Sequence, residues 1–176
     1  GFTKWTSDER LVLFERVTYH HTDRRTRPYV IPKLSTAGLE RSLLAKLTKP
    51  SAQLGRHLLA HSVCPVYYRI GGGRYWKVFT SFQPRFVLNG KPGVSSRENY
   101  LYLGSPLERD AVVSALSSSL FFWYFIVTTN CRDLNVVDLQ QFPISLDAVS
   151  AAGSQQLAAL CARLMSDYQK NSQTKQ

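Results

Sequence analysis

The sequence is poor in the features that assign an active site or a compartment. It has three cysteines, Cys64, Cys131 and Cys161, odd in number and far apart. That speaks against a disulfide framework and for buried free thiols in a reducing compartment. The longest apolar run, Leu120 to Val127, is well short of the about 20 residues that a membrane-crossing helix needs. Residues Gly1 to Arg10 are mixed and polar, without a secretory pattern. These absences set the expectation of a cytoplasmic chain with no membrane partner. There are no internal repeats and no low-complexity tracts.

Catalytic signatures are also missing. No Gly-rich loop ends in Gly-Lys-Ser/Thr, and Gly71-Gly72-Gly73 leads into a strand-like stretch rather than a helix, which argues against a phosphate loop. There is no Gly-x-Ser-x-Gly elbow, and no acidic pair beside a lysine as a metal-dependent nuclease would carry. A Gly-rich cofactor loop after a first strand and an Asn-Pro-Pro-Tyr or Asp-Pro-Pro-Tyr tetrapeptide are both absent. His57, His61 and Cys64 have spacings at which two histidines on a helix could share a zinc, but there is no fourth ligand. Surface or partly buried histidines are the simpler reading. The expectation is no catalytic residue, no metal and no cofactor in this chain.

What the chain does have is cationic charge. Its 176 residues carry a net charge of +10, with 44% hydrophobic and 12% aromatic residues, so it can fold around a core and suits an anionic partner. The charge is segregated. Residues 1–97 hold 17 lysines and arginines against 5 acidic residues, whereas residues 98–176 hold 5 against 7. Charge serving only solubility would not divide in this way, so the first part is expected to present the anion-binding surface and the second to supply packing.

Residues 1–35 read as irregular or extended, because Arg24, Arg25 and Arg27 lie just before Pro28, with Pro32 close behind. The stretch is either a basic arm on a phosphate backbone or a solvated linker. A helix follows from Ser35 or Thr36, with Leu39, Leu43, Leu44 and Leu47 on one face and Pro50 at its end. A second, over 52–60, buries Leu54, Leu58 and Leu59. The period then changes. Val63–Ile70 and Tyr75–Phe82 read as strands joined by the three glycines. With those glycines as the loop, Val66, Val78, Tyr68, Trp76 and Ile70 share a core-like face, while Tyr67, Lys77, Arg69, Tyr75 and Phe79 share the other. That second face mixes cations with rings, suited either to phosphates and base edges or to ordinary cation–aromatic packing. Residues 83–98 read as loop exposing Arg85, Lys91 and Arg97, and Asn99–Leu103 as a strand. Pro106–Thr128 reads as one long central helix, 136–141 as a short one, and Gln155–Tyr168 as an amphipathic helix with Leu157, Leu160, Leu164 and Tyr168 on one side.

Three segments together resemble the target-recognition region of bacterial adenine-specific DNA methyltransferases and of fused restriction-modification polypeptides. They are Tyr67-Tyr68-Arg69-Ile70-Gly71-Gly72-Gly73-Arg74-Tyr75-Trp76-Lys77-Val78-Phe79; Ser117-Ser118-Ser119-Leu120-Phe121-Phe122-Trp123-Tyr124-Phe125; and Cys131-Arg132-Asp133-Leu134-Asn135 with Phe142-Pro143-Ile144. Their order also resembles, more loosely, specificity subunits of multi-subunit systems, and the likeness spans about residues 36–165. It implies a module that grips double-stranded DNA. A catalytic methyltransferase domain of the same polypeptide, outside this chain, would bind S-adenosylmethionine and flip the adenine.

The expectation is therefore an α+β fold: a small, mostly antiparallel sheet with a hairpin packed on a long buried helix, flanked by further helices. Its divisions are 1–35 as arm or linker, 36–148 as recognition domain and 149–176 as C-terminal helix and tail. The expected DNA contacts are Arg24, Arg25, Arg27, Arg69, Arg74, Tyr75, Lys77, Arg85 and Arg97. Arg132 fits either a DNA contact or a local pair with Asp133. The competing functions are a protein-interaction scaffold with a basic surface, or a metal-dependent nuclease whose site has no recognisable pattern.

Overall fold

The structure, a computed structural model, describes residues 7, 8, 12, 15, 32–34, 38–49, 52–71 and 77–172. The expected contacts Arg24, Arg25, Arg27, Arg74 and Tyr75 lie outside the described residues, as do the helix caps Ser35 and Thr36. The chain divides into two compact units, Gly1–Pro32 and Lys33–Gln176.

The second unit is α+β. Helix α1 (Gly38–Thr48) and a 3-10 turn (Leu54–His57) precede strands β1 (Pro65–Arg69), β2 (Phe79–Thr80), β3 (Phe86–Leu88), β4 (Lys91–Gly93) and β5 (Glu98–Tyr102). Helices α2 (Pro106–Leu116), α3 (Ser119–Thr128), α4 (Val136–Gln140) and α5 (Ala151–Asn171) follow. The main sheet has the order β2-β1-β5, all antiparallel.

Burial alternates along β1 as period-two geometry requires: Val66 and Tyr68 face the core, while Tyr67 and Arg69 face away. The expected pairing of β1 and β2 is right, but its register is not. Tyr67 pairs with Thr80 and Tyr68 with Phe79, so the connection is longer than three glycines. Phe79, expected outside, is therefore wholly buried, and Lys77 leaves the solvent face. A one-residue slip exchanges faces, and an odd shift of three does the same.

The expected helix over 106–128 is two helices bent by 63°. Ser118 makes the break. Its Oγ accepts from the Phe121 N–H and donates to the Ala115 carbonyl, capping α3 while closing α2. Among the described residues no single helix is long and apolar enough to cross a membrane.

The core joins sheet to helices through rings. Phe121 lies 5.4 Å from Phe79 and 5.1 Å from Phe142, both edge-on, and 6.4 Å from Phe125. Helix α5 packs on α2, burying Cys161 and Met165, and the Ser114 hydroxyl donates to the Leu157 carbonyl. Leu160, expected on the buried stripe, is half exposed, because the stripe is centred one residue later. In α1, Leu44 is buried but Leu39 is 79% exposed, so the apolar face is narrower than its leucines suggested. The expected helix over 52–60 is only the 3-10 turn, which buries Leu54.

Residues 83–98, expected to be loop, contain the β3–β4 hairpin. Asn89 and Gly90 both have positive φ, 51° and 76°, the requirement of a two-residue primed turn. Pro92 is tolerated because this ribbon has only two strands and leaves an edge free.

Candidate nucleic-acid interface

The outer face of the β2-β1-β5 sheet is aromatic. Tyr67 on β1 stands opposite Tyr100 on β5, and Tyr102 follows Tyr100 two residues on, so all three point the same way. Backbone bonds from the Ile70 N–H to the Arg97 carbonyl and from the Leu103 N–H to the Cys64 carbonyl set the phase of the ladder. Tyr67 and Tyr100 then form a non-hydrogen-bonded pair, the closer of the two cross-strand arrangements. Their rings lie 6.4 Å apart edge-on, Tyr100 and Tyr102 lie 5.1 Å apart, and His61 adds a fourth ring 5.6 Å from Tyr102. Tyr100 is 50% exposed. The Tyr102 hydroxyl is pushed above its ordinary value, first by desolvation among these neighbours and then by Tyr100 and Tyr67. It stays a neutral phenol across the physiological range.

Cations gather where β1 ends. Arg69 is the last residue of β1, and its Nε donates to the Gly71 carbonyl at 2.9 Å. Arg97 joins through its own carbonyl, which accepts from Ile70. The Ile70 carbonyl accepts from the Leu134 N–H at 2.7 Å, bringing the Cys131–Asn135 turn alongside. Gly71 lets the Asp133 carboxylate sit close against the chain there, since a Cβ would displace that side chain. Three exposed arginines, Arg69, Arg97 and Arg132, thus belong to three segments whose backbones meet at Ile70. Two carboxylates lie among them. Asp133 lies 3.9 Å from Arg132, and Glu98, in register with Arg69, accepts from Gln83.

The other expected contacts fall elsewhere. Arg85 is exposed, in a groove of about 670 Å³ between β2 and the end of α5, with Phe82 and Tyr168 among its walls. Lys77 is a correction. It is only 8% exposed, its Nζ donates to the Arg132 carbonyl at 3.1 Å, and its ammonium lies 5.4 Å from the centre of the Phe125 ring. Burial holds its pKa below the ordinary lysine value. Lys77 therefore supports the Arg132 turn from beneath rather than meeting a phosphate.

Sequence reasoning passed over Tyr100 and Tyr102, and weighed His61 only as a zinc ligand. It also left Arg132 undecided, because Arg132 belongs to the acidic half and meets the basic cluster only through the fold. The period of two between Tyr100 and Tyr102, in a stretch read as a strand, could have signalled the tyrosine pair.

Of the histidines weighed as zinc ligands, His57 and His61 have separate partners. The His57 Nε2 accepts from the Leu146 N–H at 3.4 Å, whereas the His61 ring packs on Tyr102. Among the described residues no group of three potential ligands could hold a metal ion. A second groove, of about 550 Å³ and lined by Leu47, Leu120, Phe142, Ile144, Leu157 and Leu164 with serines at its margin, contains no titratable side chain. No family model matches the chain, and no curated protein or solved structure matches it.

Proposed function

We propose that this chain is a duplex-DNA recognition module that holds DNA for a catalytic domain located outside it. The observation that carries the reading is that the segments bearing the exposed Arg69, Arg97 and Arg132 are hydrogen-bonded together at the end of β1, beside an aromatic sheet face. Guanidinium groups hold phosphates and can pair bidentately with guanine edges. Three from different segments, with their backbones tied together by hydrogen bonds, bring such groups to one end of the sheet. The excess of cations in residues 1–97 adds long-range attraction for a polyanion. The likeness to target-recognition regions of adenine-specific methyltransferases suggests the context: a restriction-modification enzyme whose S-adenosylmethionine site belongs to another domain.

Fluorescence anisotropy with a random-sequence DNA duplex over a salt series tests this, with the matched single strands as control. The expected result is duplex binding that weakens steeply with salt. No duplex binding at low salt would set the reading aside in favour of a scaffold with a basic surface.

A further inference from the structure

We infer that the Tyr67–Tyr100–Tyr102 face is a stacking site for an unpaired base of the DNA held by the neighbouring arginines. The inference rests on the duplex-DNA reading for the identity of the polymer, but not for the site itself. Three tyrosines and one histidine form an unbroken row of ring contacts on the solvent side of a sheet. Tyr100, at the middle of that row, is half exposed, so part of its ring is open to a ligand. A paired base hides its faces in the helical stack, so rings presented by a flat sheet can take only a base that has left the duplex or belongs to a single strand. The row also adjoins a source of backbone contacts. Tyr67 and Arg69 are two residues apart on the same face of β1, and Tyr100 stands two residues beyond Glu98, Arg69's partner. A nucleotide whose base lies on Tyr100 therefore has its phosphates toward Arg69, which shares that face. The tyrosine hydroxyls and the Glu98 carboxylate supply hydrogen-bonding groups at the rim, while the stacking itself does not depend on base identity.

The test uses the whole chain and three labelled DNA probes of matched sequence: a single strand of about 12 nucleotides, within the range one such platform covers, its full duplex, and the duplex with one unpaired 2-aminopurine. Wild type, Tyr100→Ala, Tyr67→Ala and Tyr100→Phe are compared, with thermal melts to show that each is folded. Tyr100→Ala and Tyr67→Ala are expected to weaken single-strand binding roughly 5- to 100-fold. They should also abolish the 2-aminopurine quenching that wild type produces, and change full-duplex affinity less than twofold. Tyr100→Phe keeps the ring and should behave as wild type. Folded alanine variants that retain wild-type single-strand affinity and quenching would overturn the inference while leaving duplex recognition intact. Single-strand binding that depends on Tyr100, with no duplex binding, would uphold the stacking site and remove the duplex reading. Absence of binding to all three probes would remove both.

Discussion

Replacing Lys77 by methionine separates its structural role from the phosphate contact that its sequence position suggests. The thioether chain fills much of the same space but leaves the Arg132 carbonyl without the donor it has at 3.1 Å. The bond is part-buried, so losing its donor costs toward the lower end of the about 1–3 kcal/mol of a fully buried acceptor without a partner. Losing the ammonium's attraction to the Phe125 ring adds on the order of 1 kcal/mol. Part of this is recovered because an ammonium no longer has to be desolvated. A net loss of about 1–2 kcal/mol at neutral pH is therefore expected, read from urea denaturation. The pH dependence adds a second signature. Burial holds the folded pKa of Lys77 below 10.5, with Asp133 and then Cys131 pulling the other way. Between the depressed value and 10.5 the unfolded chain binds more protons than the folded one, so folding gains stability from this group as pH rises. The stability difference between wild type and Lys77→Met should accordingly widen as the pH is raised from neutral toward the ordinary lysine range. The duplex salt dependence should not change. An unaltered stability, together with a salt slope lower by about 0.9, would refute the buried placement and return Lys77 to the phosphate surface.

Phe121→Ala removes the ring that joins Phe79, Phe125 and Phe142 and should cost about 3–5 kcal/mol in chemical denaturation. Ser118→Ala loses the cap of α3 and its tie to α2, for about 1 kcal/mol and a correspondingly small drop in melting temperature. Cys161 is wholly buried, and burial, followed by the neighbouring Asp110, pushes its thiol up to about 11. Iodoacetamide at mildly alkaline pH should label it only after unfolding, as mass spectrometry can show. Because its folded pKa lies above 9.0, its contribution to stability is full below pH 9 and is lost between about pH 9 and 11.

The α+β class and the strands Pro65–Arg69 and Glu98–Tyr102 were legible in the sequence, since each depends on local period and on aromatic and β-branched content. What stayed hidden depends on long-range geometry. The β1–β2 register turns on the length of the connection after Ile70, and three glycines alone do not say how many residues it uses. The bend at Ser118 was obscured because Pro106–Thr128 is rich in apolar residues, and no periodicity marks a break in such a run. Asn89-Gly90 did signal a hairpin, but the surrounding prolines and glycines masked strands only three residues long. In the candidate site, Arg69 and Arg97 could be named from charge alone. Their meeting with Arg132 depends on the Leu134–Ile70 hydrogen bond, which joins segments far apart in the chain.

If the arginines around Ile70 hold a nucleic-acid backbone, their removal must change how duplex affinity responds to salt. The direct measurement is that salt dependence for wild type and for the folded variant combining Arg69→Ala, Arg97→Ala and Arg132→Ala. With all three meeting phosphates, the log–log slope of the variant should be shallower by roughly 2.7, about 0.9 for each phosphate no longer neutralised. Duplex binding with the same slope in both proteins, or no binding by the wild type at low salt, would contradict it.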